Sequence, residues 1–501
     1  MYTTFIWVVI SATTLCLLRL IFRPPSNVKG PPCLPIIGNL LQVPVSHPWV
    51  RFAEWKKPYG DIIPLKIFGR RLFVLNSRAV AVELFEKRSA IYSERPQRQM
   101  ANLCGFGKAL LFHKYGEVVR KTRKLMHAEI SRSAVSQHKE LQEREVQNFV
   151  DRILRSPKTL HGDSQRLAAS VILMISHGYK VNGPNDPFVS LAEQVMSYVE
   201  KVITPNNFLV DSLPILLYLP EWFPGAHFKL EAKICRELLN RLMIEPYLMV
   251  VKQLVHGYAQ PSLVSRNLEN RLMDTTEEEK DLLMWTAGGL YAGGSHSTVA
   301  IIMSFFLCML LHPDVQQKAQ KELEIIRSEG RLPRMTDKAC LPYIECILQE
   351  VLRWRPVAPL AAHSTLVDDV YDGITIPAGS VVMANAWAFT HDEDIYESPE
   401  QFNPDRFLSQ GVPDPRTMVF GFGRRSCPGV YLVDNLLWVV IATTLATLEI
   451  LPELDEGGKP IIPSAEYTSG AVSHPLPFQC RILPRFSNSE ELIADAVASW
   501  S

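Results

Sequence analysis

The sequence contains no CxxC pair, and its nine cysteines are odd in number and widely spread. This argues against a disulfide scaffold or a zinc module and fits a reducing compartment. Net charge is also missing: 52 Lys+Arg balance 52 Asp+Glu. A nucleic-acid binder acting through bulk charge is therefore disfavoured. No internal repeat and no low-complexity tract appears. No Gly-rich run leads into Lys-Ser/Thr, so there is no phosphate loop, and there is no flavin or dinucleotide fingerprint. What is present is a chain of 501 residues, 47% hydrophobic and 21% charged, an ordinary globular composition. Length alone suggests about three domains. The 36 prolines predict elements that start and stop sharply.

From Tyr2 to Phe22 the only charged residue is Arg19. At ~1.5 Å rise per residue such a helix spans about 30 Å, the thickness of a bilayer core. The alternative is a cleaved secretory signal. No basic residue precedes the apolar run, and no small-x-small site follows it. Arg19, Arg23 and Lys29 lie on its C-terminal side, which predicts that the following chain stays in the cytosol. Residues 1–23 are thus expected to be a membrane anchor and residues 24–48 a stiff proline-rich hinge. With no second linker, residues 49–485 read as one large domain and 486–501 as a tail ending in a short helix.

The fold class expected is mainly α with a minor β region. Strands are predicted at Ile62–Ile67 and Arg71–Leu75, around a turn at Phe68-Gly69-Arg70. A long helix is predicted from Glu279 to Leu311, stopped by His312-Pro313. A second, Leu341 to Trp354, has Leu341, Ile344, Ile347, Leu348, Val351 and Leu352 at helical spacing. A strand-turn pattern covers Tyr371 to Ser380 and Val381 to Ala386.

The strongest signal is Phe420-Gly421-Phe422-Gly423-Arg424-Arg425-Ser426-Cys427-Pro428-Gly429. It places a cysteine in a tight turn whose glycines permit close approach to a flat partner. Nearby arginines, free backbone N–H groups and a following helix N-terminus favour a thiolate. A thiolate is a soft metal ligand and a known axial ligand of haem iron. The segment resembles the haem-binding loop of cytochrome P450 monooxygenases, Phe-x-x-Gly-x-Arg-x-Cys-x-Gly. Phe420, Gly423, Arg425, Cys427 and Gly429 fill its fixed positions. The resemblance implies a cytochrome P450 fold holding haem b, with Cys427 as the iron ligand and Arg425 as a propionate partner.

Other segments carry the same resemblance. Glu350 and Arg353 match its Glu-x-x-Arg pair and share a helix face. Phe402-Asn403-Pro404-Asp405-Arg406-Phe407 matches its Pro-x-Arg-Phe segment. The implied arrangement is a buried Glu350–Arg353–Arg406 network beneath the haem loop. Arg123 matches the second arginine of a Trp-Arg-x-x-Arg helix, with Val119 standing where the Trp usually sits. His363 and Arg95 are further propionate candidates, because buried carboxylates need cationic or donor partners.

The long helix contains Leu290-Tyr291-Ala292-Gly293-Gly294-Ser295-His296-Ser297-Thr298. The family pattern is Ala/Gly-Gly-x-Asp/Glu-Thr-Thr/Ser, whose glycines let the helix open and whose acid and alcohol deliver protons to bound oxygen. His296, Ser297 and Thr298 are the catalytic candidates. Gly293-Gly294 sets His296 at the acid position, a departure from the pattern, and Ser297 at the alcohol position. His296 either shuttles protons or turns away to bond a backbone group.

The resemblance covers nearly the whole chain. Phe208 to Lys229 and Ser473-His474-Pro475-Leu476-Pro477-Phe478 are similar to fungal membrane-bound members of the O-methylsterigmatocystin oxidoreductase kind. The implied enzyme is a haem-thiolate monooxygenase of the endoplasmic reticulum membrane, single-pass, with its catalytic domain cytosolic. It would use dioxygen to hydroxylate a small hydrophobic metabolite of secondary metabolism, first a terpenoid, second a polyketide or aromatic compound. Apolar pocket regions are expected at Met100 to Phe112, Phe208 to Leu216, Leu290 to Gly293, Val357 to Ala362 and Ser469 to Val472. Electrons would come from NADPH only indirectly, through a separate NADPH-cytochrome P450 reductase docked near Arg424, with cytochrome b5 as an optional donor. The alternatives are a reductase-independent peroxygenase or isomerase, and a non-catalytic haem-binding protein.

Overall fold

In the computed structural model, which describes residues 29–204 and 207–500, the chain is mainly helical with three small sheets. The anchor expected over residues 1–23 lies outside the described residues. The described part of the proline-rich hinge is not a free spacer. Gly38 bridges Ile67, Asn39 Nδ2 donates to the Pro31 carbonyl at 3.0 Å, and Lys66 N–H donates to Asn39 Oδ1 at 2.8 Å. Asn39 thus satisfies backbone groups that the prolines leave unpaired, and fastens the hinge to the first strand.

Strands β1 (Ile62–Ile67) and β2 (Arg70–Leu75) form a hairpin. The turn at Phe68-Gly69 has φ of 45° and 80°, the left-handed geometry tight hairpins need. Strands β3 (Leu360–Ser364), β4 (Asp369–Tyr371), β5 (Ile374–Ile376) and β6 (Val381–Asn385) follow. The main sheet runs β1-β2-β6-β3, with β6 parallel to β2 and antiparallel to β3; β4 and β5 pair separately. Both faces are covered. Phe73 and Leu75 pack with Phe85, Tyr92 and Phe389, while Val74 packs with Phe52, Trp55 and Ile63. The period-2 alternation of β2 is what separates these two clusters.

The helices that position the site are α1 (Glu117–Ile130), α2 (Lys139–Arg155), α3 (Leu160–His177), α4 (Pro187–Ile203), α5 (His227–Val255), α6 (Glu277–Leu311), α7 (Pro342–Trp354), α8 (Val430–Thr447) and α9 (Ser489–Ala498). Helix α6 begins two residues before the predicted start. The Thr276 hydroxyl accepts from Glu279 N–H at 3.2 Å, and the Glu279 carboxylate accepts from Thr276 N–H at 2.9 Å. It ends at His312, and Pro313 opens the next helix. Residues 298–310 of α6 are buried on every side, as an all-round apolar helix requires. By length and composition α6 and α8 pass as membrane spans, but 72% and 67% of their apolar windows are buried inside the protein. They are core helices. A third sheet, β8-β7-β9, joins β7 (Leu448–Leu454), β8 (Pro460–Ile461) and β9 (Cys480–Pro484). The tail is integral to the body: α9 lies on α2, Ile493 is fully buried, and Trp500 Nε1 donates to Gln147 Oε1 at 2.6 Å.

Candidate active site

The Cys427 loop is pressed between the 83–87 segment and the start of α8. Gly423 has φ +53°, and a Cβ there would collide with the Phe85 carbonyl, so only glycine fits. Phe422 is buried between Phe85 and Phe389, with ring centroids 6.1 and 6.0 Å away. Half-buried Phe420 packs on the main core, and its carbonyl accepts from Cys427 N–H at 2.7 Å, closing the turn. Gly429 caps α8 and donates its N–H to the Cys427 sulfur. Burial pushes the Cys427 thiol up, while the Gly429 N–H and the Arg123 charge pull it back. Arg424 and Arg425 do not supply the positive field expected of them. Both guanidiniums lie over the Tyr115 ring, at 5.3 and 5.6 Å. Arg123 takes that place instead.

Four of the expected propionate partners converge beside this loop. Arg123 Nη1 donates to the Ser426 carbonyl at 2.9 Å. Buried Arg425 donates to the carbonyls of Ser93, Leu110 and His113 at 2.8, 3.1 and 2.7 Å, and so ties the loop to the chain before α1. His363 on β3 donates from Nδ1 to the Tyr92 carbonyl at 2.7 Å and stacks on Phe85 at 4.1 Å. Arg95 donates to the Ala362 carbonyl, and its Nε is buried without a partner. Burial, together with Arg425 and Arg123, lowers Arg95 to about 9. Burial, with Arg95 and Arg425 nearby, lowers His363 to about 3. The one carboxylate acting on Arg425 is Glu94. Cations this close, with a buried N–H left over, suit a group carrying two carboxylates. Cys427 is an exposed residue, open to a partner as an axial ligand must be. Val119, in the position where the family pattern has Trp, is buried. The residues present fit haem.

On α7, Arg353 forks onto Glu350 through Nε at 2.7 Å and Nη2 at 2.8 Å. Arg406 Nε reaches the same carboxylate at 3.3 Å, and Asn403 N–H donates to it at 2.7 Å. Further guanidinium N–H groups donate to the carbonyls of Thr390, Gln401 and Glu397. Every charge in the network therefore has oriented partners, without which its burial would be costly.

On α6 the expected opening at Gly293-Gly294 is absent: the helix is continuous from Glu277 to Leu311. Ser297 Oγ donates to the Gly293 carbonyl at 3.3 Å, and Thr298 Oγ1 to the Gly294 carbonyl at 2.6 Å. Back-bonding of this kind only weakens the helix locally. Gly294 serves close packing, since a Cβ would come within 2.6 Å of Ile172 Cδ1 on α3. A Cβ on Gly293 would meet nothing. Thr298 is buried, while Ser297 is half-buried. His296 does not bond a backbone group. Its Nε2 lies 2.6 Å from Glu200 Oε1 and 2.8 Å from His474 Nε2. Sequence reasoning did not single out Glu200, and it used His474 only as part of a resemblance. Ninety-six and 178 residues separate them from His296, and no local spacing signals the meeting.

Of the expected pocket regions, Met100, Phe106, Leu290 and Tyr291 are buried in the main core, and Phe112, Phe208, Leu216 and Val357 pack against it. A separate cavity of about 410 Å³, lined by Asn102, Lys108, Arg236, Met243, Asp281 and Trp285 among others, contains no residue of the thiolate loop.

The family model described as Cytochrome P450 matches residues 28–482. The chain is 39% identical to cytochrome P450 monooxygenase claR of Ampulloclitocybe clavipes, over 94% of this chain and 89% of that protein. It is 37% identical to cytochrome P450 monooxygenase 208 of Postia placenta, over 95% of each. It is 36% identical to cytochrome P450 monooxygenase ppsD of Aspergillus oryzae, over 97% and 94%. In fold it is similar to a zebra fish cytochrome P450 solved with abiraterone, with a TM-score of 0.69 at 22% identity, over 88% of this chain and all of that one.

Proposed function

The chain belongs to the cytochrome P450 family, as a haem-thiolate monooxygenase supplied with electrons by a reductase, and we propose that it hydroxylates a small hydrophobic metabolite of fungal secondary metabolism. The observation that carries this reading is the exposed Cys427 beside the Arg95, Arg123, Arg425 and His363 cluster. Cys427 would bind the haem iron, and Arg95, Arg123 and Arg425 would meet the propionates, with His363 beside them, its one ring hydrogen held by the Tyr92 carbonyl. Phe420, Gly423 and Gly429 shape the turn that presents the sulfur. When bound, haem supplies the activation of dioxygen. Glu350, Arg353 and Arg406 hold the backbone beneath it. Ser297 and His296 are proposed to hold and pass protons on the α6 side of the site, with Thr298 steadying α6 beside them.

Apolar linings at Met100 to Phe112, Phe208 to Leu216 and Leu290 to Gly293 support a hydrophobic substrate, selected by shape and area. A terpenoid is the first proposed class and a polyketide the second. We further propose residues 1–23 as a single-pass anchor in the endoplasmic reticulum, 24–48 as the hinge, 49–485 as the cytosolic catalytic body and 486–501 as its tail. The electron donors proposed are NADPH-cytochrome P450 reductase and, optionally, cytochrome b5. The test is a product profile from microsomes containing the chain and the reductase, fed candidate terpenoid and polyketide precursors. Oxygenated product that requires the reductase supports the reading. Product formed equally without it favours a peroxygenase or isomerase, and no product with a haem-loaded chain favours a carrier.

A further inference from the structure

We propose that Glu200, His296 and His474 form a binding site for one borderline divalent cation of the Zn²⁺ type. The inference does not rest on the monooxygenase reading, although it shares His296 with the proposed proton path, and a bound cation would take that ring nitrogen out of the path.

The three donor atoms form a small triangle. His296 Nε2 to Glu200 Oε1 is 2.6 Å, His474 Nε2 to His296 Nε2 is 2.8 Å, and His474 Nε2 to Glu200 Oε1 is 3.5 Å. A point about 2.0–2.1 Å from all three, the ordinary zinc–nitrogen and zinc–oxygen distance, lies about 1 Å above their plane. Two imidazoles and one carboxylate with an open fourth position are a donor set that borderline divalent metals favour.

Hydrogen bonding alone serves this triangle poorly. A neutral imidazole nitrogen either carries one hydrogen or offers one lone pair. If His296 Nε2 carries the hydrogen, that one hydrogen must serve both Glu200 and His474. If His474 donates to His296, the His296 lone pair is filled and the Glu200 oxygen, 2.6 Å away, faces a nitrogen with nothing to give. Protonating both rings sets two N–H groups against each other. A cation at the common point satisfies all three lone pairs at once.

The donors come from three rigid places. Glu200 is in the last turn of α4, and His296 is mid-way along α6. His474 sits in a turn closed by Thr468 N–H to the His474 carbonyl at 2.7 Å and His474 N–H to Thr468 Oγ1 at 3.0 Å. Each is half-buried, with side chains 33%, 29% and 17% exposed, so an ion can enter from solvent. A cation here would tie α4, α6 and the 467–475 turn together.

The test uses the full-length, haem-loaded chain, stripped with a chelator and titrated with Zn²⁺ while bound metal is counted. One ion per chain is expected. His474→Ala and the near-isosteric Glu200→Gln should each weaken binding by about 100-fold or more, since loss of even an outer-shell partner costs 10–100-fold. The haem absorbance of each variant checks that it is folded, and Glu200→Gln decides the matter if His474→Ala is not. Absence of stoichiometric uptake, or a folded variant that binds as tightly as the parent, overturns the proposal.

Discussion

Arg353 grips Glu350 through two parallel hydrogen bonds, 2.7 and 2.8 Å long, with neither side chain exposed at all. Arg406 Nε reaches the same carboxylate at 3.3 Å, so one anion organises two guanidiniums. Removing the anion leaves both buried and under-partnered. Glu350→Ala should therefore cost about 3–5 kcal/mol. Denaturant melts of the parent and the variant measure it. A loss below about 1 kcal/mol would mean that the network does not hold the segments around Thr390 and Gln401 together.

The left-handed turn at Gly423 leads to a second expectation. Gly423→Ala sets a methyl group against the Phe85 carbonyl and adds backbone strain of about 1–3 kcal/mol. The loop must shift, and the haem-to-protein ratio of purified material should fall well below that of the parent. Gly458→Ala is the control: it has positive φ but open space around it, and it should leave the ratio unchanged. Equal ratios in both variants would contradict the close approach.

His177 sets an acid limit on stability. Complete burial pushes its imidazole down from 6.5 to about 3, and its Nε2 has no partner. Below pH 6.5 the unfolded chain takes up a proton that the folded chain refuses. Stability is therefore full above pH 6.5 and declines as the pH falls toward 3. Between pH 7.5 and 5 this one group should remove about 2 kcal/mol. Denaturant melts at the two pH values, with and without His177→Gln, isolate its share. An identical pH slope in the variant would remove His177 as the cause.

The proton path is tested by coupling. Ser297→Ala and His296→Ala should each lower the product formed per NADPH consumed, Ser297→Ala the more strongly, within the 10²–10⁴-fold range of lost acid–base catalysis. Unchanged coupling in both rejects the path.

Arg424 is exposed next to the Cys427 turn. Arg424→Glu should slow electron transfer from the reductase several-fold, and more so at low salt, where surface charges act at longer range. A rate equal to the parent's at low ionic strength counts against docking there.

Features written in contiguous residues were readable from the sequence. β1 falls on its predicted residues, β2 gains only Arg70, and α6 ends at the predicted His312-Pro313 stop. The helix carrying Glu350 and Arg353 is similarly local, because its apolar spacing fixes which face is buried. What was not legible depends on packing between distant segments. Gly293-Gly294 reads as a helix opening, yet α6 is continuous there, and Gly294 instead makes room for Ile172 from α3. The arginines next to Cys427 in sequence turn to Tyr115, and the charge beside the sulfur comes from Arg123, some three hundred residues earlier. His296 finds Glu200 and His474 only through the folding of three separate elements.

The most direct measurement is the reduced carbon monoxide difference spectrum of the parent and of Cys427→Ser, taken with turnover on the same material. The account predicts the band of thiolate-ligated haem in the parent, and loss of both that band and turnover in the variant. A Cys427→Ser protein that keeps both would contradict it.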